Sequence, residues 1–248
     1  MDHDENPLAR ALRLASGDPA ARPDFYRQLL ESEVYVLGPP DDGDGERRVV
    51  PGESIAIKHW TRRDGSPVLP FFTSLEALQR AIDEQCTYFA LSARALLEMT
   101  RGASLVLDPR SEFGKEFVPA EVESLLAGGF GQAVQRREYA ESAQVLLGQP
   151  KQRPVALLDG LAAFLAKRPA VRAAYLALMH EPAVDPDAHL IVGIELDGEP
   201  GPLLAEIGSV AGDLAPPGEA VDLVRVERGA GGISDYFLEN VEPFYRRA

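Results

Sequence analysis

Short apolar runs of strand length alternate with helix-like segments along this chain, and this alternation constrains its fold more than any other feature. Strand-like runs lie at 33–37, 68–72 and 104–107, and helix-like segments begin at capping residues such as Ser74 and Ser92. A serine hydroxyl there can accept a hydrogen bond from a backbone N–H of the first helical turn. Alternating strands and helices predict an α+β or mixed α/β fold, in which helices pack on a mixed sheet.

The first half of the chain contains a predicted hairpin with a long polar tip. Strand 33–37 is followed by polar residues 38–46, and a second strand is predicted over 54–60. Two such strands joined by a polar loop are expected to pair. Helices are predicted over 7–16, 23–31, 75–82, 93–100 and 119–126.

A glycine-rich run at 128–131 and a polar stretch to Ser142 divide the sequence into two lobes. We therefore predict one domain over 1–131 and a second over 143–248. The second lobe has the element order βαββαβ, which is typical of the ferredoxin-like arrangement. The apolar spacing of its last segment, 234–244, predicts that this segment docks on the lobe.

The charge of the chain disfavours nucleic acids and membranes as partners. Lysine and arginine total 25 against 39 acidic residues, giving a net charge of −14, and acidic residues dominate both halves. Proteins that bind nucleic acids usually concentrate cations on one face to displace counterions. A protein partner is favoured over a small molecule.

The sequence also predicts a cytoplasmic location. The N-terminus, 1–5, is acidic where a signal peptide needs positive charge, and no apolar run approaches the roughly 18 residues of a membrane span. The single cysteine, Cys86, fits a reducing compartment. Neither a histidine nor a lysine is close to Cys86 in sequence, so a half-buried small hydrophobe is favoured over a reactive thiol.

Standard catalytic and metal-binding patterns are incomplete in this chain. The four histidines include no pair at helical i, i+4 spacing. A calcium-like series that starts at Asp42 has Arg47 where glycine is required, and a GxSxG-like run at 52–56 ends in alanine. The run at 128–131 lacks the spacing of a dinucleotide-binding loop. We predict no catalytic residue, no metal and no cofactor, which disfavours an enzyme.

Two segments concentrate aromatic or charged side chains and supply the candidate binding residues. The first contains Phe71 and Phe72, whose side chains must point to opposite faces of a strand. We expect one of them to fill the core and the other to face a helix or line a groove. The second is a loop carrying Asp108, Arg110 and Lys115. It follows a buried strand, where binding residues are common, although a structural turn leading into the helix at 119 is the favoured interpretation.

These segments carry a resemblance to a known family. The runs at 70–74, 108–117, 147–150 and 243–245 resemble, in the same order, those of the SseB proteins of bacteria. Asp108 stands where an asparagine is expected, and Arg110 where a glycine is expected. The resemblance extends from about residue 25 to 245, and it implies an N-terminal and a C-terminal SseB domain.

The resemblance implies little chemistry, because the family is named for enhanced serine sensitivity, a growth phenotype. We consider three hypotheses. The favoured one is a non-catalytic binding or regulatory protein with a link to serine metabolism. The second is an amino-acid-binding protein or unrecognised enzyme that uses Asp108, Arg110 and Lys115, with arginine binding a carboxylate and aspartate an amine. The third is a secreted, virulence-associated effector.

Overall fold

A computed structural model of the chain divides into two compact units, Met1–Gly131 and Gln132–Ala248. It describes residues 6–38, 47–48 (backbone), 56–84, 86–129, 145–180, 188–217 and 219–247. Within these ranges no helix is both long enough and apolar enough to cross a membrane.

The first unit contains five described α-helices and a short 3₁₀ helix, Pro19–Ala21, and the helix starts follow local signals. Asn6 accepts hydrogen bonds from the backbone N–H groups of Leu8 and Ala9 and so caps the first helix. Ser74 and Ser92 cap two later helices in the same way. The helices are α1 (Pro7–Gly17), α2 (Arg22–Glu31), α3 (Leu75–Ala81), α4 (Ala93–Met99) and α5 (Pro119–Leu126).

Seven described strands form the sheet of the first unit, and their spatial order is β2-β5-β1-β4-β6-β7, with β3 paired to β4. β1 pairs antiparallel with both β4 and β5, and β4 pairs parallel with β6. The strands are β1 (Glu33–Leu37), β2 (Arg47–Arg48), β3 (Trp60–Thr61), β4 (Pro67–Phe72), β5 (Tyr88–Ser92), β6 (Leu105–Leu107) and β7 (Lys115–Phe117).

The prediction that strand 33–37 pairs with a strand over 54–60 in a hairpin is wrong. Of the described part of the second segment, 56–59 lies outside any strand, and β3 begins only at Trp60. A backbone hydrogen bond of 2.8 Å from Lys58 N–H to the Leu37 carbonyl joins this segment to the end of β1. β4 and β5 take the places beside β1 because they bring buried side chains such as Phe71 and Phe89 into the core.

The second unit has the predicted order of elements and a mixed sheet. Its strands are β8 (Leu146–Gly148), β9 (Val171–His180), β10 (His189–Leu196), β11 (Val221–Val226) and β12 (Tyr245–Arg246). Its helices are α6 (Val155–Leu165), α7 (Leu203–Leu214) and α8 (Ile233–Asn240). The α+β class with two mixed sheets is therefore confirmed.

The strand pairing of this unit corrects the predicted ferredoxin-like arrangement. In a split βαβ unit another strand separates the two strands that the helix connects. Here β10 and β11, connected by α7, are direct parallel neighbours, and β8 and β9, connected by α6, are direct antiparallel neighbours. The same order of elements along the chain is compatible with the ferredoxin-like and with the observed strand pairing, because pairing depends on which faces become buried.

The last helix docks on the sheet, as its apolar spacing predicted. Phe237 of α8 is fully buried in a cluster with Tyr175, Ile191 and Val226. The approach is close at Gly193, where an added Cβ would lie 2.8 Å from Val226 Cγ2 and 2.9 Å from the Phe237 ring. Glycine at this strand position lets the helix and the sheet come together.

Candidate functional site

A cleft of about 790 Å³ opens beside the sheet of the first unit. It lies at the carboxyl ends of the parallel neighbours β4 and β6, between α1, α3 and the loop that follows β6. Ligands of α/β sheets commonly bind outside the carboxyl ends of parallel strands. Its polar lining includes Asn6, Thr73, Glu76, Arg80, Asp108, Arg110 and Glu112.

Asp108 connects the two strand ends at the floor of this cleft. Its carboxylate accepts a 2.9 Å hydrogen bond from the Thr73 backbone N–H and a 2.7 Å bond from the Thr73 hydroxyl. Asn6 adds a third connection by donating from its side-chain amide to the Thr73 carbonyl at 2.9 Å. Burial raises the pKa of Asp108, while the hydrogen bonds from Thr73 and the positive charge of Arg80 oppose that rise. The carboxylate thus holds the loop against the β4–α3 junction.

The loop after β6 is conformationally strained on the wall of the cleft. Among the described residues, Asp108 and Arg110 are the non-glycine residues with positive φ, at 47° and 110°. Aspartate tolerates the first value, but the second strongly favours glycine. Such strain persists where the surrounding structure holds it, and it is concentrated at functional sites.

Arg110 extends along the surface from this strained position. Its guanidinium donates to Asp83 Oδ2 at 3.1 Å and lies 5.7 Å from the centroid of the Trp60 ring. Arg80, which is also exposed, presents a second guanidinium to the cleft. The charges of the lining are therefore mixed, because Glu76 and Glu112 line the cleft together with these two arginines.

Lys115 does not join Asp108 and Arg110, although the sequence grouped the three. Its ammonium forms a 2.8 Å ion pair with Glu121, which also accepts a hydrogen bond from the Tyr26 hydroxyl. The same ammonium lies 4.8 Å from the centroid of the Phe117 ring. Lys115 does not line the cleft and instead ties β7 to α2 and α5.

Phe71 and Phe72 both lie in the core with no exposed surface. Phe71 packs against Phe117, with 5.8 Å between the ring centroids, and Phe72 meets Trp60 edge-on at 6.4 Å. Neither ring lines the cleft. Of the two expected alternatives, a helix and a groove, the structure shows the helix, because Phe72 packs in one cluster with Leu78 and Ala81 of α3. Their effect on the cleft is indirect, since they fix strand β4, which directly precedes Thr73.

Cys86 is half-buried beside Trp60 and Ile82, and burial raises the pKa of its thiol. The fold brings the positive charge of Lys58 near the thiol, a neighbour that sequence distance did not reveal. Within the described residues no group of three or more histidine, cysteine, aspartate or glutamate side chains could hold a metal ion. The calcium-like segment from Asp42 to Glu53 lies outside the described residues, apart from the backbone of 47–48.

The residues of this region that were not predicted as site residues include Asn6, Trp60 and Arg80. Asn6 precedes Pro7, which is a helix-start signal, but its bond to Thr73 crosses 67 residues of sequence. Trp60 and Arg80 carry no local motif. Trp60 contacts Arg110, and Arg80 lines the same cleft as Arg110, only when β3, α3 and the loop after β6 pack together.

The fold and the site define a class of protein, with two α+β units and a cleft of mixed charge in the first. Comparison with known proteins then gives the family. Residues 8–124 match the family model described as SseB protein N-terminal domain, and residues 140–247 match the one described as SseB protein C-terminal domain. The chain therefore belongs to the SseB family.

Two relatives support this assignment over the full length. "Protein SseB" of Escherichia coli (strain K12) is 36% identical over 249 residues, covering 100% of this chain and 94% of the relative. "Protein SseB" of Shigella flexneri matches with the same identity and coverage. No solved structure gives a significant match.

Proposed function

We propose that this protein is a non-catalytic binding or regulatory protein of the cytoplasm and that the cleft of its first unit receives a segment of a protein partner. The observation that carries the proposal is the cleft itself, at the carboxyl ends of β4 and β6, with a strained loop as one wall. Binding residues concentrate at such strand ends and on such loops.

The dimensions of the cleft favour a peptide segment over a free amino acid. Its volume of about 790 Å³ lies within the roughly 300–1,000 Å³ range of sites for drug-sized ligands. Charges of both signs on its walls suit a peptide, which presents backbone donors and acceptors as well as side chains. Asp108 holds Thr73 with both carboxylate oxygens, so its main role is to position the loop.

The test compares two matched variants of helix α1. Ala9 lines the cleft and Ala11 does not, and both are partly exposed. Ala9→Trp should fill the cleft and reduce the recovery of specific partners from a native lysate at least tenfold, whereas Ala11→Trp should leave it unchanged. Thermal unfolding of both variants checks that the fold is intact. Equal recovery with both variants, or no partner with the wild-type chain, would contradict the proposal.

A second candidate is an amino-acid-binding protein, linked to the serine phenotype for which the family is named. It is favoured by the arginines that line the cleft, Arg80 and Arg110, beside the carboxylate of Asp108. Arginine recognises carboxylates through paired N–H donors. A thermal-shift screen with free amino acids tests it, and we expect serine-like ligands to raise the unfolding temperature if it holds. No shift with any amino acid would eliminate it.

A further inference from the structure

A second, smaller cavity of about 200 Å³ adjoins the cleft of the first unit. Two residues, Ala81 and Arg110, line both spaces. The smaller cavity is below the roughly 300 Å³ at which sites for whole small molecules begin, so it has room for one large side chain. It is called the side compartment below.

The floor of the side compartment is apolar. Leu37 and Ala81 are buried members of a core cluster that also contains Phe72, and Trp60, Ile82 and Cys86 pack on this cluster while remaining partly exposed. Charged side chains form the rim, namely Lys58, Asp83, Glu84 and Arg110. A partly exposed aromatic and aliphatic floor with a polar rim is the pattern of an anchor site for a side chain of a partner.

Arg110 stands between the two spaces and is held by weak contacts. Its ion pair with Asp83 joins side chains that are 54% and 83% exposed, and such exposed pairs contribute little. Its guanidinium also lies 5.7 Å from the centroid of the Trp60 ring, and such cation–π contacts are weak at exposed sites. The guanidinium can therefore leave Trp60 at small cost and meet an acceptor on a ligand.

We propose that the side compartment is the specificity subsite of the binding cleft and takes one aromatic or large aliphatic side chain of an extended peptide. Arg110 moves off Trp60 and donates to a carbonyl or carboxylate of the peptide next to that side chain. This inference rests on the proposed function, because the rest of the peptide occupies the larger cleft.

The chain supplies two internal reporters for a test. It contains one tryptophan and one cysteine, and both, Trp60 and Cys86, line the side compartment. The probe is N-acetylphenylalaninamide at millimolar concentration, and N-acetylglycinamide is the matched control without a side chain. The phenylalanine probe should shift the Trp60 emission and slow the alkylation of Cys86 at least threefold, whereas the glycine control should change neither.

Variants show whether the effect arises in the side compartment. Ile82→Phe fills the compartment, so in this variant the phenylalanine probe should no longer slow the alkylation of Cys86. Leu14→Phe, at an exposed position of α1, should preserve the effect of the probe. In the absence of either probe, Arg110→Gly should increase the rate at which Cys86 is alkylated. Equal alkylation rates with the two probes on the wild-type protein overturn the inference whether or not the variants fold. That outcome leaves the proposed function intact, since partner recovery by the Ala9 and Ala11 variants tests it separately.

Discussion

At the scale of single residues, the loop after β6 combines an anchoring carboxylate with backbone strain. Asp108, at φ 47°, holds Thr73, and Arg110 follows at φ 110°. Gly114 closes the loop, because a Cβ there would lie 2.9 Å from the Asp108 carbonyl oxygen. Asparagine and glycine tolerate positive φ best, which gives a physical reason why the family resemblance leads one to expect them at 108 and 110.

The strain at Arg110 predicts a stability difference between two truncations. Arg110→Gly and Arg110→Ala both remove the guanidinium, but alanine keeps a Cβ that disfavours φ 110°. We expect the glycine variant to be more stable by about 1 kcal/mol, since relief of strain exceeds the extra entropy of glycine in the unfolded chain. Urea denaturation measures the difference, and an alanine variant of equal or greater stability would contradict it.

Asp108 predicts a pH dependence of stability. Because burial raises its pKa, the folded protein holds this proton more tightly than the unfolded chain does. The free energy of unfolding should therefore decrease as the pH rises through the folded pKa of Asp108. Asp108→Asn has no such titration, so we expect the asparagine variant to have a larger free energy of unfolding than the wild type at neutral pH. This difference should vanish as the pH falls toward 3.8, the ordinary pKa of aspartate. Urea denaturation at a series of pH values measures it.

A second variant separates the charge of Asp108 from its hydrogen bonds. Asp108→Ala leaves the Thr73 N–H buried without its acceptor and places alanine at positive φ. We expect a loss of about 2–4 kcal/mol. A loss this large in the asparagine variant as well would mean that the negative charge itself holds the loop.

At the scale of elements, strand pairing and helix docking depend on surfaces that meet only after folding. β9 illustrates this, because it pairs with β10 along one edge and with both β8 and β12 along the other. α8 then packs over this sheet through Phe237, facing Gly193. A small residue on one element therefore sets the position of another element far along the chain.

Gly193 provides the prediction at this scale. Gly193→Ala places a methyl group within 3 Å of Val226 and Phe237, so we expect a loss of about 1–3 kcal/mol from overpacking. Gly148→Ala in β8 is the control, because an added Cβ there meets nothing within 4 Å. Thermal unfolding should separate the two variants, and equal stability would show that α8 does not approach the sheet this closely.

At the scale of the whole molecule, the two units each contain a sheet, helices and a buried core. Chains of about 100 residues bury enough surface to fold alone. We expect fragments 1–131 and 143–248 to unfold cooperatively when expressed separately, and the first fragment to retain the protection of Cys86 by the phenylalanine probe. Circular dichroism melts measure this, and fragments that fold only together would contradict it.

Most helices and several strands of this protein follow from the sequence, because their signals are local. The capping serines Ser74 and Ser92 and the proline at 119 mark helix starts that the structure reproduces, and β1 has the predicted bounds. Each of these signals acts within one turn or one strand, so the residues concerned are neighbours in the chain.

Which elements meet, and therefore which residues form the site, depends on the packing of the whole chain. This packing placed Asp108 against Thr73, brought Arg110 over Trp60, and turned Lys115 away toward Tyr26 and Glu121. It also buried both Phe71 and Phe72. These contacts join residues far apart in sequence and depend on which apolar faces leave water together, a global property of the packed chain that no local pattern specifies.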